Sequence, residues 1–197
     1  MPTIKKALQN RLTGTGKIAV LGIGSDLRGD DAAGMLATEK LAKLISKKRN
    51  SRIKVFLGST APENLTGEIK KFKPEHVIMI DAIEIKEKPG TILVLDPHEV
   101  GAGVSFSTHK LPAKILADYF SHFTKCAVTI IGIQPGSLDF GRKVSKDVAS
   151  AANSIAGAIR DIVHPAKPSL SRRECRGRDS AKTTRQLKHQ DRELHGK

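Results

Sequence analysis

KIAVLGIGSDLRGDDAAGM, residues 17–35, is the stretch that decides the fold. An unbroken apolar run from Ile18 to Ile23 ends in a glycine-rich turn, and two adjacent carboxylates, Asp30 and Asp31, precede a helix-like segment. A run of this kind predicts a strand covered on both faces. In α/β sheets, the loops leaving the carboxyl ends of strands are where ligands and chemistry gather. Paired acids in such a loop suit a metal or acid–base work. They equally suit capping of the next helix, because Asp is favoured at the N-cap and in the first turn.

The flanking sequence alternates strand-like and helix-like segments, which predicts a three-layer αβα sandwich with a mostly parallel, twisted central sheet. Residues 33–48 form a helix that places Met35, Leu36, Leu41, Leu44 and Ile45 on one side. RIKVFLG (52–58) alternates polar and apolar residues and reads as a second strand. Pro62 suits a first helical turn and Pro74 ends that element. HVIMIDA (76–82) is a continuous apolar strand closing on Asp81. After the Pro89-Gly90 turn, TILVLDP (91–97) is expected to pair with its predecessor as a hairpin-like edge. A loop covers residues 98–110, a helix runs from Leu111 to about Phe123, and CAVTIIGI (126–133) is another buried strand. The last helix spans roughly Ser145 to Val163, with Val148, Ile155, Ile159 and Ile162 facing the core.

The boundaries follow from composition. Residues 1–16 form a basic N-terminal extension, 17–164 the folded domain, and 165–197 a basic tail too polar to offset its ordering entropy. The chain of 197 residues carries a formal net charge of +14. The tail holds ten positive residues against four acids, and residues 1–17 hold four positives and no acid. The excess therefore sits mainly at the ends. The tail lacks stacking aromatics and any RNA- or DNA-binding signature, so no specific nucleic-acid role is expected. No apolar run is long enough for a membrane span, and the N-terminus lacks a signal-peptide core. With only two cysteines, Cys126 and Cys175, there is no disulfide framework, and the cytoplasm is the default location. The sequence does not set the oligomeric state.

Three candidate ligands fall in loops after predicted strands or beside a helix start: Asp31, Asp81 and His109. Two carboxylates and an imidazole suit a borderline divalent ion such as Zn, Ni or Fe. Each also has a structural alternative. Asp81 can hold backbone amides at a strand end, and His109 can simply lead into the next helix. GIGSDLRG matches a dinucleotide-binding G-x-G-x-x-G turn only weakly, since Leu27 takes the third glycine position and the second strand closes on Leu57-Gly58 without an acid.

GIGSDLRGDDAAG (22–34) resembles the signature of the nickel-hydrogenase maturation endopeptidases, G-x-G-N-x-L-x-x-D-D-G-x-G. The resemblance continues through the APEN, IDA, PG, DP, STHKLP (107–112) and IIGIQP (130–135) blocks in the same order, and covers residues 17–160. It is closest to the branch that matures hydrogenase 3 of formate hydrogenlyase. The resemblance implies an aspartic-type endopeptidase that removes the C-terminal extension of a hydrogenase large-subunit precursor once nickel is inserted. It places the metal-contacting positions on Asp31, Asp81 and His109, with Asp31 and Asp81 as the candidate catalytic acids. The implied metal is the precursor's own nickel, recognised rather than permanently held. Two departures from the signature are Ser25 in place of Asn and Ala32 in place of Gly. Ser25 keeps a hydroxyl for loop hydrogen bonding, and Ala32 needs a negative φ. They leave open an alternative in which the chain inspects nickel occupancy of the precursor as a non-cleaving chaperone.

Overall fold

The run Ile18–Ile23 forms strand β1, and all six of its residues are buried. A computed structural model describes residues 3–46, 51–99, 105–106 and 113–165 of the chain. In order, these form α1 (Ile4–Leu12), β1, α2 (Ala33–Ile45), β2 (Ile53–Ser59), α3 (Thr66–Phe72), β3 (His76–Glu84), β4 (Ile92–Leu95), β5 (Ser105–Phe106), α4 (Ala113–Thr124), β6 (Ala127–Ile133) and α5 (Lys146–Val163). Short 3-10 turns stand at Gly29–Ala32, Pro62–Leu65 and Pro97–Glu99.

Five strands lie in the order β2-β1-β3-β6-β4, and β5 adds to β3. β2, β1, β3 and β6 are parallel, whereas β4 is antiparallel to β6. Side chains alternate between two faces, as the two-residue period of strands requires. Ile18, Val20, Ile78, Ile80, Ile131 and Ile133 pack with residues of α1, α2 and α5. Ala19, Leu21, Val77, Met79 and Ile130 pack on the other face with Ile69 of α3 and with Leu116, Ala117 and Phe120 of α4. The architecture is the expected αβα sandwich with a mostly parallel sheet.

Three expectations change. β4 does reach the edge of the sheet, but its partner is β6 (Ile92↔Ile133) rather than β3. From His76 to Ile80 both edges of β3 are taken, by β1 and β6, and the stretch past Ile80 pairs with β5, so β4 finds its partner on the far edge of β6. α2 buries its small residues Ala33, Gly34, Ala37 and Thr38 together with Leu41, while Leu44 is 41% exposed. A close approach explains this: a Cβ at Gly22 would lie 2.4 Å from Thr38 Oγ1 and 2.7 Å from Gly34 O, so bulky residues cannot face the sheet there. Residues 1–16, set apart above as a basic extension, contain α1, whose Leu8 and Leu12 are fully buried against the cluster that includes α5. Each such leucine contributes roughly 1.5–3 kcal/mol of burial, so the packed body begins at or before Ile4.

α5 starts at the Ser145 cap, whose Oγ accepts from Val148 N, and buries Val148, Ile155 and Ile159. α3 ends at Lys73, which takes φ +53° just before Pro74. The chain divides after Pro165, and residues 166–197 lie outside the described residues.

Candidate active site

The site begins where β1 leaves the sheet. β1 pairs with β3 up to Gly22↔Ile80, then shifts register between Gly22 and Ile23 and continues alongside β2 to Ser59. From β1 the chain crosses to β2 on one side and returns to β3 on the other, so β1 and β3 flank a topological switch point. Switch points open a crevice at the carboxyl ends of the strands, because the connecting segments leave in opposite directions.

Glycine shapes the loop leaving β1. Gly24 has φ +126°, and a Cβ there would lie 1.8 Å from the carbonyl oxygen of Asp31. The loop closes on Asp31, whose Oδ2 accepts from Ser25 N at 3.0 Å. Ser25 Oγ accepts in turn from Leu27 N at 3.3 Å, so the hydroxyl works as the departure from the signature required. Ala32 has φ −70° and ψ 0°, within the range any L-residue adopts. Neither residue distorts the loop.

Asp30 and Asp31 are both buried, at 1% and 6% exposure, yet they face different partners. Neither caps α2, which lacks a side-chain cap. Asp30 Oδ2 accepts from Gly136 N at 2.8 Å and Ser137 N at 3.3 Å, and its Oδ1 accepts from Ser145 N at 2.6 Å. It clamps the loop after β6 and the start of α5, where the helix dipole also favours a negative charge. No local pattern marks this role, because the partners are more than a hundred residues away.

Gly34 seats the start of α2. A Cβ there would lie 2.0 Å from Ile80 O and 2.3 Å from Ile23 O, so the helix start rests directly on the diverging ends of β1 and β3. Asp31 precedes Gly34 by three residues, and Asp81 follows Ile80. The backbones that carry the two acids therefore meet at this contact. β3 runs on to Glu84, so Asp81 lies within the strand rather than at its end. Asp81 pairs with Gly132 of β6 and is the first β3 residue past its β1 partners. Fully buried, it accepts from Ala82 N through Oδ1 at 2.8 Å. His109, the third predicted ligand, lies outside the described residues. Among the described residues no group of three or more His, Cys, Asp or Glu side chains is placed to hold a metal.

Gln134 is a further bracing residue at this edge. Its Oε1 accepts from Ile85 N at 2.8 Å and Glu87 N at 3.3 Å, and its Nε2 donates to both Glu84 carboxylate oxygens at 3.1 Å. This ties the turn after β3 to the end of β6. The signal in the sequence was a lone amide closing an apolar strand before Pro135-Gly136.

His76 and Cys126 stand at the other end of the sheet. His76, at the opposite end of β3, contacts Thr129 Oγ1 through Nε2 at 2.8 Å. Burial, reinforced by Arg11 and opposed by Asp96, lowers its pKa to about 4. Burial pushes the Cys126 thiol up, which keeps it protonated and a poor nucleophile. No helix among the described residues is long and apolar enough to cross a membrane.

Comparison with known proteins agrees with this architecture. A family model described as HycI, hydrogenase maturation protease, matches residues 35–162, a span that includes Asp81 and His109 and begins after Asp31. The hydrogenase 3 maturation protease of Escherichia coli K12 is 29% identical over 136 residues, covering 69% of this chain and 84% of that protein. The crystal structure of a [NiFe] hydrogenase maturation protease from Thermococcus kodakarensis superposes with a TM-score of 0.72 at 33% identity, covering 80% of this chain and 98% of that one. The solution structure of the Escherichia coli endopeptidase HycI gives 0.61 at 26% identity, covering 72% and 87%.

Proposed function

We propose that this chain, which belongs to the hydrogenase maturation protease family, removes the C-terminal extension of a nickel-hydrogenase large-subunit precursor after nickel insertion. The observation that carries this reading is that two buried aspartates, Asp31 and Asp81, stand on backbone segments that meet at the opening between β1 and β3. His109 is the third member of the proposed set. β5 pairs Phe106 with Ile83, two residues past Asp81. Three further residues of chain span at most about 11 Å, so the covalent tether lets His109 reach this edge.

The nickel belongs to the substrate. Asp31, Asp81 and His109 recognise it, and the donor set fits a borderline ion. Docking there brings the neighbouring peptide bond to the crevice. The substrate's metal polarises the scissile carbonyl or activates a water, and one of the two aspartates takes up the proton of the attacking water; the aspartic type is what the resemblance implies. The non-cleaving chaperone alternative rested on Ser25 and Ala32, and both sit in the loop without strain.

The test is incubation of the chain with nickel-loaded precursor, read by mass spectrometry of the precursor's C-terminus. Shortening by wild type and none by a folded Asp31→Asn variant supports the proposal. A precursor that is bound but never shortened makes the chain a chaperone.

A further inference from the structure

Five large apolar side chains are exposed among the described residues: Leu27, Leu44, Leu57, Ile115 and Phe140. Leu27 and Phe140 are the most exposed, at 58% and 78%. Both sit on loops that are firmly tied to each other. Gly141 N donates to Leu27 O at 2.8 Å, Gly29 N to Arg142 O at 3.2 Å and Asp30 N to Ser137 O at 2.9 Å. Arg28 Nε adds a bond to Leu138 O at 3.3 Å. The Asp30 clamp fastens the base of the same pair of loops. Two large apolar groups thus stand in water on a pre-ordered support, on the loop that closes on Asp31 through Ser25 N.

We propose that Leu27 and Phe140 form the docking edge for the precursor segment flanking the scissile bond, and that they receive its apolar side chains; this rests on the function proposed above. The edge lies on the same closed loop as Asp31, four residues before it, and Ser25 N holds that loop onto the Asp31 carboxylate. The edge is continuous with the loop that carries Asp31, which makes the substrate segment next to the scissile bond its occupant. Anchors held on an ordered loop lose little conformational freedom on binding, and buried aromatic and aliphatic anchors dominate recognition energies.

The test compares wild type, the Leu27→Ser/Phe140→Ser double variant and a Leu44→Ser control, with nickel-loaded precursor as substrate. Surface changes of this kind leave the melting temperature unchanged. The double variant should raise KM by about tenfold or more with kcat within about twofold, the signature of lost uniform binding, while Leu44→Ser matches wild type. Direct binding of the precursor, measured in an Asp31→Asn background that cannot cut, should weaken by a similar factor with the two serines added. Cleavage by wild type with an unchanged KM in the double variant overturns the docking edge and leaves the proposed function standing. The same result with loss of self-association in sedimentation assigns the edge to a second copy, which also overturns it. Binding that depends on Leu27 and Phe140 without cleavage by wild type overturns the function and keeps the edge. A wild-type chain that neither cuts nor binds overturns both.

Discussion

Asp30→Asn replaces a carboxylate that is 1% exposed and serves three backbone N–H groups, those of Gly136, Ser137 and Ser145. Asparagine offers one acceptor oxygen. Placed at the Oδ2 position it keeps Gly136 and Ser137, but its NH2 then faces Ser145 N–H, donor against donor. Placed the other way, it leaves two donors without a partner. A hydrogen bond to a charged group contributes about 1.5–3 kcal/mol, and a buried donor left unsatisfied costs about 1–3 kcal/mol. The surviving bonds also weaken, since neutral pairs are about half as strong as charge-assisted ones. The expected loss is about 2–4 kcal/mol, equivalent to a fall of roughly 5–15 °C in Tm for a domain of this size. Urea denaturation followed by circular dichroism measures it. Turnover per folded molecule, assayed well below the new Tm, should remain measurable, because the clamp positions loops and stays out of the chemistry. In contrast, Asp31→Asn should abolish processing while folding. A variant at Asp30 as stable as wild type refutes the clamp, and a stable, folded Asp30→Asn without turnover shows that Asp30 takes part in the reaction.

Further outcomes follow from other positions. His76 has a pKa of about 4 in the folded chain against an ordinary value near 6.5, so unfolded molecules bind the extra proton first. Stability should be full above about pH 6.5 and fall by about 3 kcal/mol as the pH drops to 4; urea titrations should show this slope for wild type and a shallower one for His76→Gln. Gly34→Ala puts a Cβ 2.0 Å from Ile80 O and 2.3 Å from Ile23 O. Backbone cannot yield there as a flexible side chain would, so Tm should drop by an amount equivalent to about 1–3 kcal/mol, with turnover reduced beyond the folded fraction lost; an unperturbed Gly34→Ala variant contradicts the seating of α2. Truncation after Ala166 should preserve Tm and the turnover of bound substrate. Any slowing of association should appear only at low ionic strength and fade with added salt, whereas an early-melting truncated chain contradicts the reading of the tail as an appendage.

The buried strands were legible because they bury on both faces. The runs at 17–23, 76–82 and 126–133 became β1, β3 and β6 with their ends shifted by one or two residues. Pairing was less legible. β4 pairs with β6 because β1, β6 and β5 share the edges of β3, and local sequence carries no record of who occupies a neighbour's edge. α1 was hidden by its lysines: Ile4, Leu8 and Leu12 recur every four residues, a helical stripe that the basic charge of the segment obscured. On α2, counting bulky residues picked the wrong face, since the close approach at Gly22 and Gly34 selects small ones. At the site, Asp31 could be singled out as a loop acid before a helix start and Asp81 as the acid closing an apolar run. Asp30 looked like their equal, and only tertiary contacts separate a clamp from a candidate ligand. The two exposed anchors, Leu27 and Phe140, carried no periodicity to mark them.

Metal-stripped chain mixed in parallel with nickel-loaded and nickel-free forms of the same precursor tests the central claim most directly. Mass spectrometry of the precursor's C-terminus gives the rate for each. A substrate whose own nickel docks between Asp31, Asp81 and His109 should be cut only when loaded, with no metal added to the chain. Equal cleavage of the nickel-free precursor by metal-stripped chain contradicts the account, as does a strict requirement for a metal ion bound stoichiometrically to the chain itself.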